Sequence, residues 1–182
     1  MHQHKLLNSI WDSLHAATVQ RTGFTLATLA TVTAAGQPRA RSVIVRDFAT
    51  DPERISVATH ADAAKVSEMR ASPAVALTFY DAASSVQLRA EGVAKLVDDP
   101  VERERVWDRL APHSRDLYAT STLPGAPLEA AADPDPRTAF ERFAWVSIEL
   151  DRLDWLDLSG EPHQRWQFRR EGASWAGHRV VP

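Results

Sequence analysis

Pro38-Arg-Ala-Arg-Ser-Val-Ile-Val-Arg46 opens the stretch that decides the fold. Successive strand residues point to opposite faces, so Arg41, Val43 and Val45 share one face while Ser42, Ile44 and Arg46 share the other. A second β-like run, Ile55–His60, follows a turn expected over Phe48–Arg54. Asp62 then reads as the cap of a short amphipathic helix that carries Lys65, Val66 and Met69 and ends near Arg70, before Ser72-Pro73. A third apolar run, Ala74–Tyr80, reaches a fourth, Ser85–Gly92, through the turn residues Asp81-Ala-Ala-Ser84. Strand, strand, helix, strand, strand, with cations near strand ends, implies a β-barrel that holds a phosphorylated ligand.

Upstream, Leu6, Leu7, Ile10, Trp11, Leu14 and Val19 recur at helical spacing, which predicts an amphipathic helix over about residues 5–20. Phe24–Thr33 and Arg39–Asp47 flank Ala35-Gly36-Gln37-Pro38 and read as an antiparallel hairpin. Downstream, Asp98-Asp99-Pro100 has the form of a helix start, with the helix running to about Leu110. Residues 119–137 hold four prolines and one glycine and read as a long loop. A short helix is expected from Pro136 to Phe143. Four further strands are expected, at Trp145–Leu150, Arg152–Leu158, Gln164–Arg169 and Trp175–Val181. The fold class is therefore mainly β (α+β): six to eight antiparallel strands with peripheral helices, in one domain over residues 1–182.

The composition narrows the function. A formal net charge of −3 argues against broad attraction to nucleic acid or an anionic membrane. Nothing approaches 18 continuous apolar residues, and the N-terminus lacks the apolar core of a signal peptide, so the expected location is cytoplasmic. With no cysteine and no HxxxH or HExxH pair, a metal site is not expected. No GxSxG, Walker or GxGxxG motif occurs. Arg41 suits a phosphate because its fork is permanently charged and bidentate, though a solvated edge-strand arginine is the plainer reading. Lys65, near a helix start, stands beside free backbone amides, and a surface lysine is its plain alternative. Core packing is the default for most of the six tryptophans, leaving one for a ligand ring.

Together these stretches resemble the pyridoxamine 5'-phosphate oxidase family of FMN-binding split β-barrels. Arg41-Ser-Val-Ile-Val-Arg46 stands for the family's Arg-x-Val-Leu-Leu-Lys strand, and Ala58-Thr59 for its aromatic-Thr pair. Ala63-Ala64-Lys65 stands for Ser-Arg-Lys, and Gln87–Gly92 for its Gln-x-x-x-x-Gly strand. Trp155-Leu156, Glu161-Pro-His163-Gln-Arg165, Trp175 and Val181-Pro182 stand for the closing motifs. The resemblance covers roughly residues 22–182. It implies FMN held at Arg41, Ser42, Val43, Ile44, Val45, Arg46, Ala58, Thr59, Lys65, Gln87, Trp155 and Arg165. Arg41 and Lys65 would take the phosphate, Gln87 would reach in from the partner of a homodimer, and either Trp155 or Leu156 would lie beside the ring. Arg115 and His163 would be substrate contacts, and the resemblance assigns no catalytic residue.

Several departures accompany the match. Ala64 replaces a phosphate-binding arginine, Arg46 a substrate-facing lysine, and Glu161 an arginine that binds pyridoxal phosphate; Ala111 and Ala119 stand for a tyrosine and a serine. The implied function is an FMN-dependent oxidoreductase acting on a small organic molecule other than pyridoxamine phosphate. The rival readings are a non-catalytic flavin-binding protein and a split barrel using heme or another flavin-like cofactor.

Overall fold

The computed structural model describes residues 3–130 and 132–182. Helix α1 (Gln3–Val19) precedes strands β1 (Leu26–Val32), β2 (Pro38–Thr50) and β3 (Glu53–His60). Helix α2 (Ala64–Ala71) leads to β4 (Ala74–Asp81) and β5 (Val86–Leu96), followed by α3 (Pro100–Arg109) and the single-turn α4 (Pro112–Arg115). Strands β6 (Phe143–Asp157), β7 (Gln164–Glu171) and β8 (Ser174–Val180) complete the chain.

The strand order is β3-β2-β1-β4-β5-β6-β7-β8, antiparallel throughout, and an added β3–β6 pairing closes the first six strands into a barrel. This is a split β-barrel. The split is a property of β6. Its first half, Phe143–Glu149, pairs with β3, and its second half, Arg152–Asp157, turns to β7, while β5 follows it from Val146 to Asp157. The two strands expected at Trp145–Leu150 and Arg152–Leu158 are thus one strand. Polar Glu149, Asp151 and Arg152 between two apolar runs look like a break, but they sit where the register slips opposite Glu91 and Gly92. A Cβ at Gly92 would collide with the Glu149 carbonyl, so only glycine lets the strands cross this closely.

Other boundaries moved for local reasons. The expected turn Phe48–Arg54 shrinks to its tip, because Phe48 pairs with Ile55 and Thr50 with Glu53. Phe48 is buried, so extending the strand covers a large ring. The cap of α2 is Ala63, with no side-chain hydrogen bond, and not Asp62. The helix expected at Pro136–Phe143 resolves into two 3-10 turns, Pro136–Thr138 and Phe140–Arg142, because Phe143 enters the sheet opposite His60. Asp99 does cap α3, accepting a hydrogen bond from the Val101 amide, with Pro100 in the first turn.

Two apolar clusters position everything else. The barrel interior holds Leu29, Val43, Val45, Ile55, Val57, Leu77, Phe79, Leu88 and Ile148, with Leu6, Leu7, Ile10, Leu14 and Ala17 of α1 packed into the same cluster. Burying a side chain of this size contributes about 1.5–3 kcal/mol, so α1 is fixed by packing and not by helix propensity alone. The second cluster lies outside the barrel wall, under α3, where Tyr118, Phe143 and Trp145 meet Trp107, Val106 and Phe140. All six tryptophans are buried or half-buried.

Candidate functional site

The alternation read from the sequence places Arg41 at the end of an inward-facing column with Val43 and Val45, opposite Leu29 of β1. Helix α2 covers that end. Across it, Lys65 Nζ donates to Thr59 Oγ1 at 3.1 Å, and Arg41 lies close enough to lower the lysine's basicity. Burial is the larger cause of that lowering, the Arg41 charge adds to it, and Glu68 partly opposes both. Arg41 and Lys65, on a strand and a helix start, lie within electrostatic reach of each other. Two cations in a partly desolvated corner, beside a helix start without a side-chain cap, form a donor set that suits a phosphate.

A residue that the sequence reading missed changes the role of Arg41. Glu68, on α2 three residues after Lys65, is buried and takes the Arg41 NH2 at 2.7 Å. Thr31 donates to the same carboxylate oxygen at 2.5 Å, while Arg41 NH1 donates to Thr31 Oγ1. Burial pushes the Glu68 carboxyl up, but these hydrogen bonds and the Arg41 charge outweigh it, leaving it below the usual glutamate value. Both terminal nitrogens of Arg41 are thus engaged within the chain. Lys65 is the cation of the pair without a carboxylate bond.

The remaining expected residues fall on other surfaces. On the outward face of β2, Ile44 and Arg46 border a cleft together with α3 and α4, and Val45 lines its floor. Ser42 faces outward and is exposed. Tyr118, another residue missed in the sequence, is buried near Arg46; burial pushes its phenol above the ordinary value, with the Arg46 charge opposing. Ala58 faces away from Thr59 and packs on the second aromatic cluster, so it does not share the Lys65 corner.

Gln87 pairs with Leu156, and Leu156 with Arg165, forming one outward row across β5, β6 and β7. Trp155 faces the opposite way, into the core. By strand parity Leu156 shares the face of Gln87 and Arg165, and Trp155 does not. Beside this row lies Asp154, 2% exposed and unforeseen in the sequence. It accepts from Arg165 Nε and NH2 at 2.9 and 2.8 Å, from Gln167 at 2.9 Å and from Arg89 at 2.9 Å. A carboxylate between Leu153 and Trp155 was the available signal, since only an outward-facing position tolerates it.

Arg115, expected as a substrate contact, is engaged within the chain. Its guanidinium donates to the carbonyls of Leu110 and Asp108 at the end of α3 and stacks over Trp107 at 5.6 Å. His163 and Glu161 are exposed together in the β6–β7 connection. Among the described residues no cluster of His, Asp and Glu is placed to hold a metal, and no helix is long and apolar enough to cross a membrane.

Residues 15–144 match the family described as Pyridoxamine 5'-phosphate oxidase. The chain belongs to this family. A pyridoxine/pyridoxamine 5'-phosphate oxidase from Granulibacter bethesdensis is 32% identical over 173 residues, spanning 85% of this chain and 80% of its own. The Rubrobacter xylanophilus protein of the same name is 27% identical over 170 residues, spanning 85% and 76%. Among solved structures, a pyridoxamine 5'-phosphate oxidase-related, FMN binding protein from Nostoc punctiforme superposes with a TM-score of 0.77 at 22% identity, covering 99% of this chain and 96% of that one. PhzG from Burkholderia lata, solved with tetrahydrophenazine-1-carboxylic acid, gives 0.77 at 18% identity, covering 97% and 92%. At such identities the two structures establish a shared fold.

Proposed function

We propose that this member of the pyridoxamine 5'-phosphate oxidase family is an FMN-dependent oxidoreductase acting on a small organic substrate, assembled as a homodimer with a flavin site between the chains. The observation that carries the reading is the corner where Arg41 and Lys65 converge with Thr59 under an uncapped helix start. Phosphate charge placed there would relieve the repulsion between the two cations and restore the basicity that Lys65 loses on burial. Lys65 is the direct anchor, and Arg41, held by Glu68, supplies fixed positive charge behind it. Ile44, on the outward face of β2, offers an apolar contact to a ring, as small cofactor sites favour. When bound, the flavin supplies hydride chemistry at N5, and the protein supplies position and electrostatics.

Titrating flavin-free protein with FMN and with riboflavin tests the anchor. Lys65→Ala is expected to weaken FMN by roughly 10- to 150-fold, the loss of one charge-assisted contact, while riboflavin affinity stays the same. Equal affinity of parent and variant for FMN would remove the phosphate assignment.

The dimer rests on the outer sheet face. Gln87 and Arg165 lie on it away from Lys65, so one chain does not bring every expected cofactor residue to one place. The same face leaves Leu26, Ile44, Tyr80 and Val93 between 43% and 54% exposed, an apolar spread that invites a partner. Sedimentation is expected to give the mass of two chains, and Tyr80→Glu should shift it toward one. A monomeric parent that still binds FMN tightly would count against this arrangement.

A further inference from the structure

A second cleft, about 400 Å3, opens between α1, the α1–β1 connection and the β4–β5 hairpin. Helix α1 turns Leu6, Ile10 and Leu14 into the core, while Ser9, Ser13 and Ala16, at i, i+4 and i+7, share the flank that faces the hairpin. Small side chains on that flank leave room that larger ones would fill. Phe24, Val86 and Trp155 give the cleft an apolar wall. At the rim, Gly23 packs directly on Asp81: a Cβ at Gly23 would stand 2.6 Å from both Cβ and Oδ1 of the aspartate. Only glycine leaves the carboxylate in place there.

Trp155 shows that this space is built to receive something. It is 8% exposed, and its indole N–H donates to nothing among the described residues. The N–H groups of Trp166 and Trp175 are sealed from solvent. That of Trp155 is not, and the cleft is the open space its ring borders. A nearly buried donor without a partner costs stability until an acceptor reaches it. The charge of the site is set by Asp81, the one ionisable side chain in the lining. Its carboxylate accepts from the Ala83 amide at 3.1 Å and the Ser84 hydroxyl at 2.6 Å, which uses two of about four lone-pair positions. No lysine, arginine or histidine lines the cleft, and Arg21, beside Thr22, borders the Ile44–Arg46 cleft instead. An anion is therefore repelled here and a cation attracted.

We propose that this cleft binds a small organic ammonium ion: a flat apolar body against Phe24, Val86 and Trp155, its protonated amine at Asp81, and a hydrogen-bond acceptor at the Trp155 N–H. The volume lies in the lower part of the range of small-molecule sites, about 300–1,000 Å3. The bond from ammonium to carboxylate is charge-assisted and gives the site its selectivity. This site stands apart from the flavin reading. Trp155 faces the inner side of β6, away from the outward row of Gln87, Leu156 and Arg165, so amine and flavin should bind together.

Calorimetric titration of the full chain with tyramine tests the site, alongside three analogues that each change one feature. 4-Ethylphenol has no amine, phenethylamine has no hydroxyl, and 4-hydroxyphenylacetate carries a carboxylate in place of the amine. Tyramine is expected to bind once per chain, at least about tenfold tighter than 4-ethylphenol or 4-hydroxyphenylacetate and about threefold or more tighter than phenethylamine. Asp81→Asn should lose about tenfold or more of that affinity. Asp12→Asn, which removes an exposed α1 carboxylate outside the lining, should keep it. Ser13→Phe fills the cleft from the helix side and should abolish binding with little change in melting temperature, and it supplies the readout if Asp81→Asn fails to fold. The proposal is overturned if tyramine shows no binding up to about 5 mM, or if any analogue binds as tightly. It is equally overturned if Asp12→Asn loses as much as Asp81→Asn, if Ser13→Phe leaves the affinity unchanged, or if tyramine and FMN displace each other one for one.

Discussion

Arg41→Ala is expected to destabilise the folded chain by about 3 kcal/mol, with a drop in melting temperature of roughly 6–12 °C for a protein of this size. The cause is the glutamate left behind. Glu68 is buried, and its carboxylate takes its charged hydrogen bond from Arg41 and a neutral one from Thr31. Removing one partner of a buried pair costs about 3–5 kcal/mol, because the other keeps its desolvation penalty. The lower figure applies because the Arg41 side chain is 23% exposed and Thr31 still holds the carboxylate. A purely ligand-facing arginine would give almost no such loss.

Glu68→Gln separates these accounts. In the double variant Arg41→Ala/Glu68→Gln no buried charge is stranded, and Thr31 keeps an acceptor. Most of the lost stability should return, leaving a coupling of a few kcal/mol between the two positions. Urea unfolding of the four proteins in the cycle measures it. If the double variant is no more stable than Arg41→Ala, the Glu68 pair is not what holds this corner. The cycle also makes the flavin test fair, because FMN affinity can be compared in a background where loss of Arg41 does not unfold the site.

How much was legible in the sequence follows from the same residues. The barrel was readable because period-2 alternation over β2, β4 and β5 is set by a core that accepts only one face, and because Asp99-Pro100 caps a helix by local chemistry. The meeting of Arg41 and Lys65 was readable only through family resemblance, since nothing local links a strand to a helix start. Glu68 and Asp154 were not readable. Each is a lone carboxylate in ordinary surroundings until the sheet brings donors from two other elements onto it. The continuous β6 was missed for a related reason: the polar residues at its centre mark the change of partner from β3 to β7 and not a turn. The bonds of Arg115 to the end of the preceding helix were likewise not legible, because sequence position does not show which carbonyls a guanidinium reaches.

Asp154→Ala is the second large effect expected, again about 3 kcal/mol at neutral pH, set by the same buried-pair range. Its carboxylate gathers Arg89 of β5 and Arg165 and Gln167 of β7 on the strand between them, so its removal loosens the three-strand wing on which Gln87 and Leu156 also lie. The low end is chosen because Arg89 is 42% exposed and can be solvated by water. The pH dependence distinguishes a charge effect from a loss of shape. Burial raises the Asp154 pKa, but the hydrogen bonds from Arg165 and Gln167 and the charge of Arg89 outweigh it, leaving it below the ordinary aspartate value of about 4. A carboxylate with a lowered folded-state pKa contributes its stability in full above the unfolded value and loses it as pH falls through the folded one. The gap between parent and Asp154→Asn should therefore be complete at pH 7 and narrow steadily below about pH 4. Arg165→Gln should cost less, because Arg89 and Gln167 still hold the carboxylate. Urea unfolding at pH 7, 5 and 3.5 follows the gap directly. A gap that stays constant with pH would mean that Asp154 acts through packing, and that the wing is held by its strands and not by this carboxylate.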